Sequence, residues 1–219
     1  MSVQVEEMPN EIEDQVAPTI RTLADLIRDL GDIEPSRILM VPAPGTATLA
    51  DVERYKCELI DGTLVRKAMG FRESLLAFFI GRKLGNYAED NELGVVIGAD
   101  GFFQVFEGGS RAPDASYIAY ASLPDGKLPT KPVPALAPDI CVEVLSPGNT
   151  VAEMKRKRTE FFTAGVKLVW IVHPVKRTVT VYERDDLGTV LQATDTLDGG
   201  KVVPGFTLSL SRVFGELDR

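Results

Sequence analysis

The chain has 219 residues, of which 44% are hydrophobic and 26% charged, and its formal net charge is −8 at pH 7. These values are typical of one soluble globular domain, and no apolar run reaches the roughly 18 residues that cross a bilayer. The acidic start, MSVQVEEMPNEIED, lacks the basic and apolar regions of a signal peptide. We therefore expect a cytoplasmic protein with no membrane segment.

The composition also limits the chemistry. Cys57 and Cys141 form no CxxC pair, and a single histidine leaves no zinc ligand set of the usual kind. We expect both cysteines to be small core residues of a reduced protein. The negative net charge repels a polyanion at long range, which counts against tight binding of nucleic acid.

The N-terminal part is predicted to be separate from the main domain. Residues 1 to about 18 are polar and acidic and read as a flexible arm. TIRTLADLIRDLG then predicts a short amphipathic helix that ends at Gly31 and packs on the domain or on a partner. A proline- and glycine-containing linker leads to a helix capped by Thr48. We place the boundary near residue 46, so that 1–46 form the arm and short helix and 47–219 the main domain.

Strands dominate the main domain, with two main helices among them. CELIDGTLVRKA predicts a hairpin that turns at Asp61-Gly62, and FRESLLAFFIGRKLGNYAEDN predicts a long helix. GVVIGADGFFQVF predicts a second hairpin, and DASYIAY predicts a strand.

After a proline-rich loop over 124–138, we expect a strand over 139–145 and a helix over 150–164. The strands VKLVWIVH and TVTVYER follow, and then a short terminal β region that ends in VFGEL. The fold class is therefore α+β or α/β, with a mixed central β-sheet flanked by helices.

The stretch PDICVEVLSPGNT places a carboxylate in the middle of an apolar strand. Alternation along this strand puts Cys141, Glu143 and Leu145 on one face. A buried carboxylate is costly unless it is paired, hydrogen-bonded or bound to a cation. Asp139 lies on the same face, but roughly 13 Å of strand separates it from Glu143, whereas Mg²⁺ holds its oxygen ligands at about 2.0 to 2.1 Å.

A second metal ligand must therefore come from another strand. The best candidate is Asp114 in RAPDASYIAY, where Pro113 ends an irregular stretch and Asp114 opens a strand. Asp114, Glu143 and the backbone carbonyl of Val144 would form a site of hard oxygen ligands, suited to Mg²⁺ or Mn²⁺. Alternatively, Asp114 only caps a turn.

The helix that follows Glu143 contains four consecutive cations, Lys155 to Arg158. They lie between the apolar residues of the predicted core stripe, which are Val151, Met154, Phe161 and Phe162. A run of this kind is often only a solvated face. Lys157 lies at the edge of the stripe and Arg158 nearer its centre, so we expect at least one cation to point toward the sheet. If this cation is Arg158, Glu143 and Arg158 form a buried structural ion pair.

Several ordered blocks resemble one known family. CELIDGTLVRKAMGFRESLLA, RAPDASYI, APDICVEVLSPGNT, KRKRTEFFTAGVKLVWIVHP and VTVYE are together similar to the Uma-type putative restriction endonuclease family, a branch of the PD-(D/E)XK nuclease superfamily. The resemblance covers residues 48 to about 185. It implies a restriction endonuclease-like core and metal-dependent hydrolysis of phosphodiester bonds.

Carried over by position, the resemblance assigns the catalytic roles to Asp114, Glu143 and Lys157. Lys157 stands for a lysine moved onto the following helix, since Leu145 occupies the position of the superfamily's usual strand lysine. Glu73 falls where many family members have histidine, and it is a possible third acidic group near the metal. Glu58, in the first block, is expected to have a structural role.

We therefore expect a Mg²⁺-dependent endodeoxyribonuclease, with Mn²⁺ as the alternative metal. DNA is the expected substrate, with RNA as an alternative that the sequence does not separate from it, and the protein is expected to act as a homodimer. Contacts to the nucleic acid are assigned to Arg111, Lys155 and Arg158. The competing hypothesis is an inactive nuclease-like fold that serves as a dimerisation or regulatory module.

Overall fold

The structure, a computed structural model, describes residues 22–219. The arm predicted for residues 1 to about 18 lies outside the described residues. Among those that are described, the α-helices are α1 (Leu23–Asp29), α2 (Leu49–Tyr55), α3 (Phe71–Asp90), α4 (Val151–Ala164) and α5 (Leu210–Gly215). No helix in residues 22–219 has the length and apolarity that crossing a bilayer requires.

The main sheet has six strands in the order β10-β9-β8-β7-β6-β3. Their bounds are β3 (Gly94–Gly98), β6 (Ala115–Ala119), β7 (Ile140–Val144), β8 (Leu168–His173), β9 (Thr178–Arg184) and β10 (Leu187–Leu191). β7 and β8 are parallel, and the other neighbours are antiparallel. This arrangement confirms the predicted mixed sheet.

Two helices cover opposite faces of this sheet. Residues of α3 such as Leu76 and Ile80 pack with Val142 and Trp170 on one face. On the other face, residues of α4 pack with Cys141, Val169 and their neighbours. The alternation predicted for β7 therefore separates two hydrophobic clusters, and Glu143 belongs to the α4 side.

A smaller sheet lies beside the first, in the order β2-β1-β5-β4. Its strands are β1 (Glu58–Ile60), β2 (Thr63–Val65), β4 (Phe103–Phe106) and β5 (Gly109–Arg111), and β11 (Thr196–Asp198) and β12 (Thr207–Ser209) form a separate pair. The hairpin of β1 and β2 is confirmed: Asp61 and Gly62 have φ of +47° and +68°. Two successive positive φ values are those of a type I′ turn, which suits the twist of a two-residue hairpin.

The predicted hairpin of GVVIGADGFFQVF is wrong. β3 pairs with β6, whereas β4 pairs with β5 in the other sheet. Neither Asp100 nor Gly101 has a positive φ. These two residues therefore do not form the type I′ turn that would bring β3 and β4 alongside each other. The predicted terminal β region is present as β11 and β12, but its predicted end is wrong, because VFGEL belongs to α5 and a 3₁₀ turn over Glu216–Asp218.

The short N-terminal helix packs on the main domain. Thr22 and Asp25 form a capping box that starts α1, and Leu30 and Ile33 are buried against Ile60 of the first hairpin. Gly31 has φ of +95°, and a Cβ at this position would lie 2.7 Å from Glu153 Cα. The end of α1 therefore lies directly against the start of α4. The boundary near residue 46 remains a prediction.

A buried ion pair also joins the N-terminal segment, the described residues before 46, to the start of α4. Arg37 donates from Nη1 to Glu153 Oε2 at 2.9 Å and from Nη2 to Glu153 Oε1 at 2.6 Å. The side chains are 9% and 3% exposed. A fork of two hydrogen bonds with little solvent is the geometry in which an arginine–carboxylate pair contributes most.

We predict that Arg37→Ala lowers the free energy of unfolding by roughly 3 kcal/mol or more, because it leaves the Glu153 carboxylate buried without a cation. Arg28→Ala is the matched control: Arg28 pairs with Asp25, but the two side chains are 67% and 36% exposed. The control should cost far less, because solvent screens an exposed ion pair. Urea unfolding of both variants gives the comparison, and equal losses would show that the N-terminal segment is not part of the domain's core.

Candidate active site

Two neighbouring strands bring Asp114 and Glu143 to one end of the main sheet. Ala115, the first residue of β6, is paired with Val142 of β7. Asp114 precedes β6, and its Oδ2 accepts a 2.8 Å hydrogen bond from the amide of Val144. Both carboxylates are 5% exposed.

Lys157 reaches these carboxylates from α4. The helix starts at Thr150, whose side chain accepts a hydrogen bond from the amide of Glu153, and it ends at Gly165. The Lys157 Nζ donates to Glu143 Oε2 at 2.8 Å and lies 3.1 Å from Glu58 Oε1. One ammonium thus bridges carboxylates from both sheets.

Arg158 points away from Glu143. Its Nε donates to Asp185 Oδ1 at 2.7 Å, and its guanidinium lies 4.3 Å from the centre of the Tyr182 ring. The alternative of a structural Glu143–Arg158 pair is therefore wrong. Lys155 is exposed, so its predicted contact with nucleic acid stays open.

Glu58 belongs to the same group of charges, which the sequence reasoning did not anticipate. It is 1% exposed. Its Oε2 accepts from Arg111 Nη1 at 2.9 Å and its Oε1 from the amide of Ala112 at 3.1 Å. The available signal was its position between the buried residues Cys57 and Leu59 of a strand. We use "carboxylate cluster" for three acidic and three basic residues: Glu58, Asp114, Glu143, Lys67, Arg111 and Lys157.

Arg111 is not available for the contact with nucleic acid that was predicted for it. The side chain is 1% exposed, and its guanidinium is held by Glu58 at 2.9 Å and by Glu160 at 2.6 Å. It neutralises buried carboxylates and has no free surface for a phosphate. The local sequence around Arg111 contains neither partner, because both glutamates lie far away in the chain.

Glu73 lies at the first turn of α3 and is partly exposed. Its Oε2 would be 2.5 Å from a Cβ placed on Gly70, so the carboxylate folds back over the start of its own helix. An acidic group in that position is stabilised by the helix dipole. In the described part of the chain, no hydrogen bond or ion pair joins Glu73 to Asp114 or Glu143, and its role as a third acidic group remains a prediction.

The two carboxylates that share Lys157 titrate very differently. Burial raises the pKa of Glu143 to about 7, against the attraction of Lys157, and the charges of Asp114 and Glu58 raise it further. Burial also acts on Glu58, but Lys157 and Arg111 lower its pKa to about 2. Burial disfavours the ammonium of Lys157, yet Glu143, Glu58 and Asp114 raise its pKa above the usual value. Lys157 therefore stays charged.

The residues at this end of the sheet suit a divalent cation in one specific respect. Glu143 Oε1 is buried and has no hydrogen-bond partner, so one carboxylate oxygen is free to accept a ligand. Among residues 22–219, no group of three or more His, Cys, Asp or Glu side chains is arranged to hold a metal. Mg²⁺ is commonly held by only one or two carboxylates together with waters and substrate phosphates. A metal held by Asp114 and Glu143 alone would be bound in that way, and this role of the two residues remains a prediction.

A cavity of about 720 Å³ adjoins these residues. It runs between α3 and the edge strand β3, and its lining includes Phe78, Gly81, Arg82 and Asp114. Phe78 is 69% exposed, which is high for a phenylalanine. The cavity is large enough for a nucleotide-sized ligand to approach Asp114.

We predict opposite effects of Glu143→Gln and Glu58→Gln on stability in EDTA. A pKa raised to about 7 means that the folded protein binds the Glu143 proton more tightly than the unfolded chain, so this residue costs stability as the pH rises from about 4.5 to 7. Glu143→Gln should therefore raise the melting temperature by several degrees at pH 8 and change it little at pH 4.5.

The pKa shift of Glu58 has the opposite effect on stability. Its lowered pKa contributes stability that is present above pH 4.5 and lost toward pH 2, so Glu58→Gln should cost roughly 3–5 kcal/mol at neutral pH by leaving buried cations unpaired. Thermal melts from pH 2 to pH 8 cover both profiles. A lower melting temperature of Glu143→Gln at pH 8 would mean that Glu143 serves as a structural salt bridge.

Comparisons with known proteins identify the family and the fold. Residues 47–211 match the Uma2 family, which is described as "Putative restriction endonuclease". A crystal structure of a putative nuclease belonging to DUF820 from Anabaena variabilis ATCC 29413 has the same fold. The TM-score is 0.64 at 18% sequence identity, over 73% of this chain and 90% of that chain. No curated protein matches the chain. Since the family match covers most of the sequence, the chain belongs to the Uma2 family of putative restriction endonucleases.

Proposed function

We propose that the protein is a divalent-metal-dependent endonuclease that hydrolyses phosphodiester bonds in DNA. The observation that supports it best is the buried pair of Asp114 and Glu143 on neighbouring strands, with the Lys157 ammonium 2.8 Å from Glu143. This set occurs in a chain that belongs to an endonuclease family. We further propose that it works as a homodimer.

Asp114 and Glu143 would hold the metal, with the carbonyl of Val144 as a third oxygen. A bound Mg²⁺ or Mn²⁺ would polarise the scissile phosphate and lower the pKa of a water molecule. Glu143 Oε1 is the unpaired oxygen of the pair, so it is the Glu143 atom that would hold the metal.

Lys157 acts as a cation in this proposal. Its pKa is raised by three carboxylates although burial opposes this, so it does not lose its proton near neutral pH and cannot serve as a base. A fixed, buried positive charge beside the scissile phosphate stabilises the negative charge that develops in the transition state. The hydrogen bond to Glu143 fixes the position of that charge before the substrate arrives.

The test is cleavage of supercoiled plasmid DNA and of a mixed RNA substrate in Mg²⁺ and in Mn²⁺. We predict that Asp114→Asn, Glu143→Gln and Lys157→Met each reduce cleavage by roughly 100-fold or more. Lys167→Met is the matched control: this lysine also pairs with an aspartate, Asp139, at 2.6 Å, but at the opposite end of the sheet. The control should cleave like the parent chain.

The competing hypothesis is the inactive scaffold, and metal binding distinguishes the two. An active enzyme should gain melting temperature with rising Mg²⁺ or Mn²⁺, because a ligand that binds only the folded state stabilises it. Absence of both cleavage and metal-induced stabilisation would favour the scaffold. Cleavage of RNA alone would retain the nuclease and correct the substrate.

Binding of DNA can be tested apart from cleavage. We propose that the substrate strand reaches Asp114 through the cavity beside α3, where Phe78 offers a surface for base stacking and Arg82 a charge for a phosphate. With Ca²⁺ in place of Mg²⁺, we predict weak and strongly salt-sensitive binding of a labelled DNA. The double variant Phe78→Ala/Arg82→Ala should bind about tenfold or more weakly.

The same helix contains a control for this variant. Phe71 and Arg72 begin α3 and are exposed, Phe71 to 87%, but they do not line the cavity. Phe71→Ala/Arg72→Ala should therefore bind like the parent chain. Equal weakening by both double variants would mean that the whole helix surface attracts DNA and that the cavity is not the path. Absence of binding even at low salt would count against a nucleic-acid substrate.

A further inference from the structure

Lys67 contacts one of the two proposed metal ligands. Its ammonium lies 2.9 Å from Asp114 Oδ1 and donates a 3.1 Å hydrogen bond to the carbonyl of Ala99. The other oxygen of Asp114 accepts from the amide of Val144. Both oxygens of Asp114 are thus engaged by groups of the protein, and a metal must displace one of these groups to bind there.

The two lysines of the carboxylate cluster differ in their freedom to move. The Lys67 side chain is 15% exposed and that of Lys157 is 5% exposed. Lys157 also contacts two buried carboxylates, whereas Lys67 contacts one. A long, flexible stem allows an ammonium near the surface to move into water while the stem stays in place. Lys67 is therefore the cation that can leave.

The charge balance of the cluster points the same way. Its three carboxylates are matched by three cations, and the fourth carboxylate nearby, Glu160, already pairs with Arg111, so the two positive charges of a divalent metal would exceed the negative charge available. An ammonium at 2.9 Å from Asp114 Oδ1 and a metal at about 2.0 to 2.1 Å would compete for one oxygen and repel each other where little water screens them. If the Lys67 ammonium moves away from Asp114, it no longer competes with the metal for this oxygen and no longer repels it.

We propose that Lys67 is the resident counter-ion of Asp114, which a divalent cation must displace in order to bind. This inference rests on the metal site of the proposed function. It makes Lys67 a residue that sets metal affinity. The Lys67 charge also acts on the other carboxylates: it helps to lower the pKa of Glu58, and it opposes the rise in the pKa of Glu143.

Calorimetric titration of the full chain with MnCl₂ tests the proposal. Lys67→Gln keeps a hydrogen-bond donor for Asp114 and Ala99 but removes the charge, so it should bind Mn²⁺ roughly tenfold more tightly than the parent chain. Lys67→Arg keeps the charge and should bind no more tightly than the parent. Lys167→Gln, which changes the Lys–Asp pair at the opposite end of the sheet, should leave the affinity unchanged.

The outcomes separate this inference from the proposed function. If the parent chain binds Mn²⁺, Asp114→Asn does not, and Lys67→Gln binds as the parent does, then the metal site stands and the role of Lys67 is overturned. If Asp114→Asn binds Mn²⁺ as well as the parent, or if no variant binds Mn²⁺, both proposals are overturned. Equal tightening by Lys167→Gln would show only a general effect of removing positive charge and would also overturn the role of Lys67.

A second measurement uses the parent chain and does not depend on the folding of a variant. Lysine acylation followed by mass spectrometry reports how accessible each ammonium is. Saturating Mn²⁺ should increase the labelling rate of Lys67 several-fold, while Lys157 stays protected and Lys167 is labelled equally with and without metal. Unchanged labelling of Lys67 at Mn²⁺ saturation would contradict its displacement.

Discussion

The buried ammonium of Lys157 is the contact on which the site depends. It lies 2.8 Å from Glu143 in the main sheet and 3.1 Å from Glu58 in the smaller sheet. Without it, two carboxylates that are almost fully buried would face each other with a large desolvation cost. One side chain from α4 thus holds the two sheets together at the point where the proposed chemistry takes place.

The partners of these two carboxylates explain why only one of them is suited to react. Glu58 has two cations and a backbone amide around it, so it is ionised and fully engaged. Glu143 has one cation and a free oxygen, and its pKa lies near neutrality. Acidic groups whose environments drive their pKa values apart are a common basis for dividing structural and chemical roles. Here Glu58 orients Lys157, and Glu143 keeps one carboxylate oxygen that can bind a ligand.

Much of this arrangement could be predicted from the local pattern. Alternation in β7 correctly put Glu143 on the face opposite Val142 and Val144, and the Asp61-Gly62 signal correctly located the first hairpin. Both depend on short-range periodicity and turn conformation. The metal-ligand roles of Asp114 and Glu143 were inferred from the strand pattern, the catalytic roles of these residues and of Lys157 came from the family resemblance, and all of them remain to be tested.

The errors arose where the outcome depends on packing between distant segments. The wheel of α4 put Arg158 nearer the core because it counted Val151 and Phe162 in the stripe, but Val151 is 88% exposed and Phe162 only partly buried. Besides Lys157 itself, the buried positions of α4 are Glu153, Met154 and Phe161, and the centre of the face that they define lies nearer to Lys157 than to Arg158. The burial of Arg111 could not be foreseen, because its partners Glu58 and Glu160 lie 53 and 49 residues away in the chain.

Placing the lysine on a helix has a structural consequence. At the strand position two residues after Glu143 stands Leu145, which packs with the hydrophobic cluster on the α4 side. A lysine on the strand would take its position from the sheet alone, whereas Lys157 takes its position from how α4 docks. The start of α4 is held by the Arg37–Glu153 ion pair, and Glu153 lies one helical turn before Lys157. The N-terminal segment therefore helps to position the proposed catalytic lysine, although none of its own residues enters the carboxylate cluster.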